Sequence, residues 1–211
     1  MLGRMLIHAH DAAPSEDAAL AFVDAQGFGH LVAGGRGRDV PVVVPTQFVV
    51  TSRAPVEVVL HLARPNPVWA ALAENPHVVL SVAGDWTYIP SAWKAVGDED
   101  PRRGIPTTYY AAVQLTGRAT VVDDPDGVAA ILRTQLSTYE PGGDWADPRD
   151  AHTTRLALIR GIRIAVDDVR AKFKYGGNVD DAHRRAVADR LAQRNGPGDA
   201  AARRRVLDSL A

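Results

Sequence analysis

The segment His61-Leu62-Ala63-Arg64-Pro65-Asn66-Pro67-Val68-Trp69 holds the densest set of side chains able to do chemistry. An imidazole can ligate iron through one ring nitrogen, or donate to a phosphate or flavin oxygen. The forked guanidinium of Arg64 can clamp a carboxylate or phosphate in a way that a lysine cannot. Pro65 and Pro67 fix φ on both sides of Asn66 and remove two backbone donors. That predicts an extended Asn66 with its side chain free for a ligand. The same residues also fit a plain helix start beside an exposed His, with Arg64 in an ordinary surface ion pair. Lys172 and Lys174 alternate along a strand-like run, so they share one face. Two ammonium groups on one face repel unless an anion or open solvent lies between them. Gly176-Gly177 lets the backbone approach a ligand closely. Tyr88, Tyr109 and Tyr110 offer hydroxyl donors and flat stacking surfaces, although buried tyrosines mostly pack. Trp69 reads as a core or dimer-interface residue. His30 and His77 sit in apolar strands and read as core histidines satisfied by backbone.

Several elements must position these groups. Val56 to His61 reads as a strand, and Val68 to Ala73 as a short helix with Pro67 at its start. A strand that ends in polar residues and turns sharply into a helix aims those residues at a pocket. Upstream, Ser15 can cap a helix over residues 15–26, which Gly27 ends. Phe28 to Ala33 and Val40 to Val50 read as strands around the turn Gly34–Arg38. Pro41 and Pro45 make the second of these an edge or bulged strand. Downstream, His77 to Ala83, Ala111 to Val122, Gly161 to Val166 and Val169 to Asn178 have strand patterns. Residues 95–104 read as a charged surface loop. Val128 to Tyr139, Asp180 to Arg194 and Ala200 to Leu210 have helical spacing, and Thr154 to Ile159 reads as a short helix. The tail from Ala200 is expected to fray unless it docks on a partner subunit. Hairpins joined by Gly turns favour an antiparallel barrel or meander over a doubly wound sheet.

Composition narrows the function. The 211-residue chain is 46% apolar and has no cysteine, so thiolate chemistry and thiolate metal sites are excluded. Any metal must be held by His, carboxylate or an organic macrocycle. Lys and Arg number 24 against 25 Asp and Glu, a formal charge of −1. That balance gives no electrostatic reason to bind DNA directly. No apolar run approaches membrane-spanning length, and Met1 to Leu6 lacks a signal-peptide core, so a soluble cytoplasmic protein is expected. There is no P-loop, dinucleotide fingerprint, nucleophile elbow or helix with paired metal-binding histidines. The triplet Arg203-Arg204-Arg205 reads as a solvated helix face rather than a DNA contact.

A family likeness emerges from five motifs taken together. They are Phe28-Gly29-x-Leu31, His61-x-Ala63-Arg64-x-Asn66-Pro67-x-Trp69, Tyr88-Ile89-x-x-x-Trp93, Pro106-Thr107-x-x-Tyr110-x-x-Val113 and Ala171-Lys172-Phe173-Lys174. The chain resembles the PaiB-like proteins from about Met5 to about Arg194. That family comprises FMN-binding negative transcriptional regulators with a split β-barrel of the pyridoxamine-phosphate-oxidase type. The resemblance implies an α+β fold, mainly antiparallel β, with peripheral helices and a homodimer carrying cofactor sites along its interface. It implies a cofactor-binding split barrel over residues 1–178, with a C-terminal helical extension, 179–211, packed on it. The chain departs from the family at Thr108-Tyr109-Tyr110, where Trp-Asn-Tyr is common. It departs again at Val44-Pro45 and Gln47, near which the family often has His, and at Gly176-Gly177-Asn178, which replaces Ser-Gln-Asn.

One branch of the family, the piperazate synthases, uses haem instead of flavin. These enzymes cyclise N5-hydroxyornithine, forming an N–N bond with loss of water. Likeness to that branch implies haem as cofactor, with His61 as the axial ligand of its iron, and a small amino-acid substrate. Cofactor contacts would come from His61, Arg64, Asn66, Lys172, Lys174 and Tyr88. Arg64 would hold a carboxylate or a propionate, while Tyr109 and Lys172 would manage charge and protons. The alternative is an FMN-binding regulator of the PaiB type, in which Arg64, Asn66, Lys172 and Lys174 contact the phosphate and ribityl chain.

Overall fold

A computed structural model describes residues 5–95 and 99–210. The loop expected over 95–104 therefore lies partly outside the described residues. In chain order the elements are α1 (Glu16–Gln26), β1 (Phe28–Ala33), β2 (Val42–Gln47), β3 (Val49–Arg53), β4 (Val56–Ala63), α2 (Val68–Glu74), β5 (His77–Ile89) and α3 (Ser91–Lys94). They continue as β6 (Thr107–Val122), α4 (Pro125–Tyr139), α5 (Pro148–Ala151), α6 (Thr153–Leu156), β7 (Ile159–Lys174), α7 (Asp181–Arg194) and α8 (Asp199–Asp208). The seven strands form one sheet in the order β2-β1-β5-β6-β7-β4-β3. The fold is α+β with an antiparallel sheet, as the strand patterns and the family likeness imply.

The chain divides into two compact units. The first contains the residues up to Ala18, Ala83–Val113 and Arg170–Ala211; the second contains Ala19–Val82 and Gln114–Val169. Each long strand, β5, β6 and β7, contributes residues to both.

In the second unit the two sheet edges, β2 and β3, are separated in sequence by Phe48 alone. A chain cannot join opposite edges through one residue unless the sheet curls round on itself. β2 accordingly touches β4 as well as β1. Pro45 falls in the edge strand β2, the kind of strand in which proline is tolerated. The run from Val40 to Val50 is thus two strands rather than one. Side chains of Leu31, Val58, Leu60, Leu80, Leu115 and Ile162 fill the core, each fully buried. Tyr139, at the end of α4, donates its hydroxyl to Phe48 O at 2.7 Å and shares it with Gly27 O at 2.8 Å. This fastens the helix to the corner between the edges. Tyr139→Phe is expected to lower stability by about 1 kcal/mol, read as a reduced midpoint in urea unfolding.

His30 and His77 are exposed, contrary to the reading as core residues. Each occupies the outward phase of its strand, next to the buried Leu31 and Val78.

In the first unit Tyr109, Ala111 and Val113 of β6 bury completely, as do Val187, Ala188 and Leu191 of α7 and Ala202 and Val206 of α8. Asp199 opens α8 and is 1% exposed. Its carboxylate receives Arg194 Nε at 2.8 Å, Arg194 Nη2 at 2.5 Å, Thr87 Oγ1 at 2.6 Å and Gly196 N at 2.8 Å. Arg205, one of the arginine triplet, donates to Asp85 at 2.8 Å and lies over the Phe173 ring. The tail is thus packed against its own chain, where fraying had been expected. The period of α8 put Ala202 and Val206 inward, and Arg205 reaches the distant Asp85.

Candidate functional site

His61 sits near the end of β4 between the buried Leu60 and Leu62, and is itself half-buried. Its neighbour across the ladder on β7 is Gly161. A Cβ built on Gly161 would lie 2.3 Å from Ile131 Cδ1 of α4. The absence of that carbon lets α4 approach the strand closely. Asp124 caps α4, accepting from Gly127 N at 2.7 Å, and Pro125 starts the first turn. Val128, Ile131 and Gln135 are all buried, at the spacing of one helical face. Gln135 is therefore a polar residue in a core position, 7% exposed. Its Oε1 lies 2.5 Å from His61 Nδ1.

An amide oxygen only accepts, so in this contact Nδ1 is the donor. Nε2 has no hydrogen-bond partner among the described residues. An imidazole with one nitrogen tied to a carbonyl and the other free is arranged as metal-ligating histidines are. His61 is thus chemically suited to hold an iron atom through Nε2.

Arg64 and Asn66 are more occupied than their types suggested. Arg64 donates from Nε to Ala157 O at 2.8 Å and from Nη2 to Asp123 Oδ1 at 2.6 Å. Its guanidinium holds the Asp123 carboxyl below the usual carboxylate range. Arg64 therefore straps the end of β4 to the segment entering β7. Asn66 Oδ1 accepts Val68 N–H at 3.0 Å, so its oxygen serves the start of α2. The expectation of a free Asn66 side chain fails here, because the first N–H groups of a helix need acceptors. Trp69 donates from Nε1 to Ala63 O at 3.0 Å and lies 5.6 Å from the Arg160 guanidinium.

The other candidates belong to the first unit. Lys172 and Lys174 do share a face: their ammonium nitrogens lie 5.9 and 6.0 Å from the centre of the Tyr110 ring. Both line a cavity of about 320 Å³ together with Lys94, Thr107, Tyr109 and Asn178. Lys172 Nζ donates to Leu6 O at 3.1 Å and lies 3.7 Å from Asp11. Lys174 Nζ donates to Thr107 Oγ1 at 2.6 Å. Burial pushes the Tyr109 hydroxyl up to about 12, so it is a neutral donor at physiological pH. Tyr88 is 52% exposed on the outward face of β5, beside Trp86 at 64%.

The structure therefore separates the candidates into two groups. His61, Arg64 and Asn66 stand in the second unit; Tyr88, Tyr109, Lys172 and Lys174 stand in the first. Gln135, Lys94 and Asp11 escaped the sequence reading. Gln135 had a signal, since a glutamine occupies an apolar position of the α4 repeat. Lys94 and Asp11 had none. They lie far in sequence from Lys172 and meet it only through folding.

Comparison with known proteins fits this architecture. Over 182 residues the chain is 25% identical to the protease synthase and sporulation protein PAI 2 of Bacillus subtilis (strain 168), covering 83% of this chain and 84% of that protein. The fold is similar to that of the flavocytochrome Anf3 from Azotobacter vinelandii, with TM-score 0.62 and 23% identity over 83% of this chain and 74% of that one. It is also similar to an FAD and heme binding protein from Mycobacterium smegmatis, with TM-score 0.62 and 19% identity over 83% and 79% of the two chains. Residues 5–168 match the family described as "Putative FMN-binding domain". The chain belongs to that family of FMN-binding domains, among the PaiB-like proteins.

Proposed function

We propose that the chain is a haem-dependent dehydrating cyclase of the piperazate synthase kind, in which His61 would hold the haem iron through Nε2. The observation that carries this reading is the 2.5 Å contact between His61 Nδ1 and the buried Gln135 Oε1. It orients a half-buried ring whose Nε2 has no hydrogen-bond partner among the described residues. The two structural relatives named for haem lend the reading support.

Bound haem iron supplies a Lewis acid that weakens the N–O bond of a hydroxylamine. The overall change balances as an internal displacement. The α-amine nitrogen of N5-hydroxyornithine bonds to N5, the N–O bond breaks, and hydroxyl and a proton leave as water. The chain's residues contribute position and charge. Gln135 holds the His61 ring, and Arg64 braces the strand end through Asp123 and Ala157. Proximity of the two nitrogens within one folded substrate supplies much of the rate.

The reading includes a homodimer, in which the second copy would supply the other wall for a flat macrocycle. A second reading, an FMN-binding regulator, is favoured by the family match. Two measurements separate them: the visible spectrum of the purified protein, and conversion of N5-hydroxyornithine to a cyclic product lighter by one water. Gln135→Leu is expected to weaken haemin binding about 10–100-fold, the usual cost of losing an outer hydrogen-bond partner of a ligand. The same variant should show the His61 ring as a mixture of tautomers in nitrogen-15 spectra of the haem-free protein.

A further inference from the structure

We infer that a second cavity of the first unit takes a small carboxylic acid with an apolar body. It is bounded by the segment from His10 to Ala18, the end of β7, and helices α7 and α8. The inference is independent of the haem and flavin readings, since it uses none of the residues given to either cofactor.

The cavity measures about 450 Å³, within the range of small-ligand pockets. Its walls are pinned in place. Gly177 belongs to the lining, and a Cβ there would lie 2.2 Å from His10 O. The chain at His10 packs against the end of β7 because that carbon is missing. Ala12 forms a bridge with Lys172, and Tyr175 donates its hydroxyl to Asp85 O at 3.1 Å. Alternation along β7 sends Phe173 to the face opposite Lys172 and Lys174. The cavity and the lysine pair therefore lie on opposite sides of the strand.

The lining names the ligand chemistry. Ala12, Pro14, Ala18, Phe173 and Tyr175 form an apolar wall. Arg184, 8% exposed, supplies a buried positive charge. Its Nη2 donates to the Ser209 carbonyl at 3.2 Å and to the Ser209 hydroxyl, both neutral acceptors. Its one ion pair among the described residues is with Asp181 at 3.4 Å, whose side chain is 69% exposed. An exposed carboxylate at that distance compensates a buried cation weakly. A guanidinium carries five N–H donors, and its planar fork matches the two oxygens of a carboxylate. Arg205 also lines the cavity, but its charge already meets Asp85 at 2.8 Å. Asp208 stands in the lining at the exposed C-terminal end of α8, where a cation is favoured. Two sources thus share the chemistry: a plain apolar acid, and an apolar α-amino acid whose amino group would meet Asp208.

The test uses the full chain without added cofactor, with binding read by calorimetry. Hydrocinnamate should bind. Hydrocinnamyl alcohol, the same body without the charge, should bind at least about tenfold more weakly, the worth of one charge-assisted hydrogen bond. Arg184→Gln should erase that preference by weakening the acid while leaving the alcohol unchanged. Ala18→Leu fills the cavity from a helix position that suits leucine and removes no polar group. It should melt no lower than wild type and lose both ligands. Two arms identify the source. Phenylalanine binding tighter than hydrocinnamate, with the gain erased by Asp208→Asn, assigns the site to an amino acid. Hydrocinnamate binding at least as tightly as phenylalanine, and not weakened by Asp208→Asn, assigns it to a plain acid. Equal binding of acid and alcohol to the wild type, undiminished binding to Ala18→Leu, or no binding of either acid would overturn the inference.

Discussion

His61→Ala is expected to weaken haemin binding by more than about 100-fold and to abolish the sharp absorption band of the complex. Gln135 is an outer partner, and its loss alone should cost about 10–100-fold. His61 would supply the coordinate bond itself, so its removal must cost more. The substitution should leave the fold intact. His61 is half-buried on β4, and its one recorded hydrogen bond goes to Gln135. Adding free imidazole to His61→Gly should restore part of the spectrum, because the vacated space and the Gln135 acceptor remain. A variant that binds haemin as tightly as wild type, with an unshifted band, would remove His61 from the coordination sphere.

The second large effect concerns stability. Asp199→Ala is expected to destabilise the chain by about 3 kcal/mol, the lower end of the cost of breaking a buried ion pair. Arg194 reaches solvent on one side, with its side chain 32% exposed, which limits the penalty. Thr87 and Gly196 N would nonetheless lose their acceptor. The effect carries a pH signature. The Arg194 guanidinium, helped by Thr87 and Gly196 N–H, brings the Asp199 carboxyl down to about 2 from 3.8. A depressed acid stabilises the fold above its unfolded value. That contribution, about 2 kcal/mol, is complete above roughly pH 5 and is lost as pH falls from about 4 to about 2. Urea unfolding from pH 7 down to pH 2 should show the wild type and Asp199→Ala curves drawing together. Parallel curves would show that Asp199 titrates alike in the folded and unfolded chain.

Local pattern carried much of the fold and less of the site. Alternation and helical spacing located the strands and helices because each reads a face turned to one core. They divided β5 and β7 into shorter pieces. Gly84 in β5, and the polar pair Asp167-Asp168 in β7, interrupt an apolar rhythm without interrupting the backbone ladder. Phe48 shows the opposite case. One residue parts two strands that pattern alone ran together, because those strands lie at opposite edges of the sheet. For the site, Lys172 and Lys174 were legible as a pair because strand geometry guarantees their common face. The partners of Arg64 and Asn66 were not. Asp123 and Ala157 are distant in sequence, and the demand of Val68 N–H for an acceptor appears only once α2 has formed. Lys94 joins the lysine pair through tertiary folding, which no spacing rule encodes.

The visible spectrum of the purified wild-type chain, before and after addition of haemin, bears most directly on the role of His61. The account predicts a single intense band near about 400 nm that saturates at one haem per chain. A pair of bands near about 375 and 450 nm, with no response to haemin, would contradict it and identify a flavin instead.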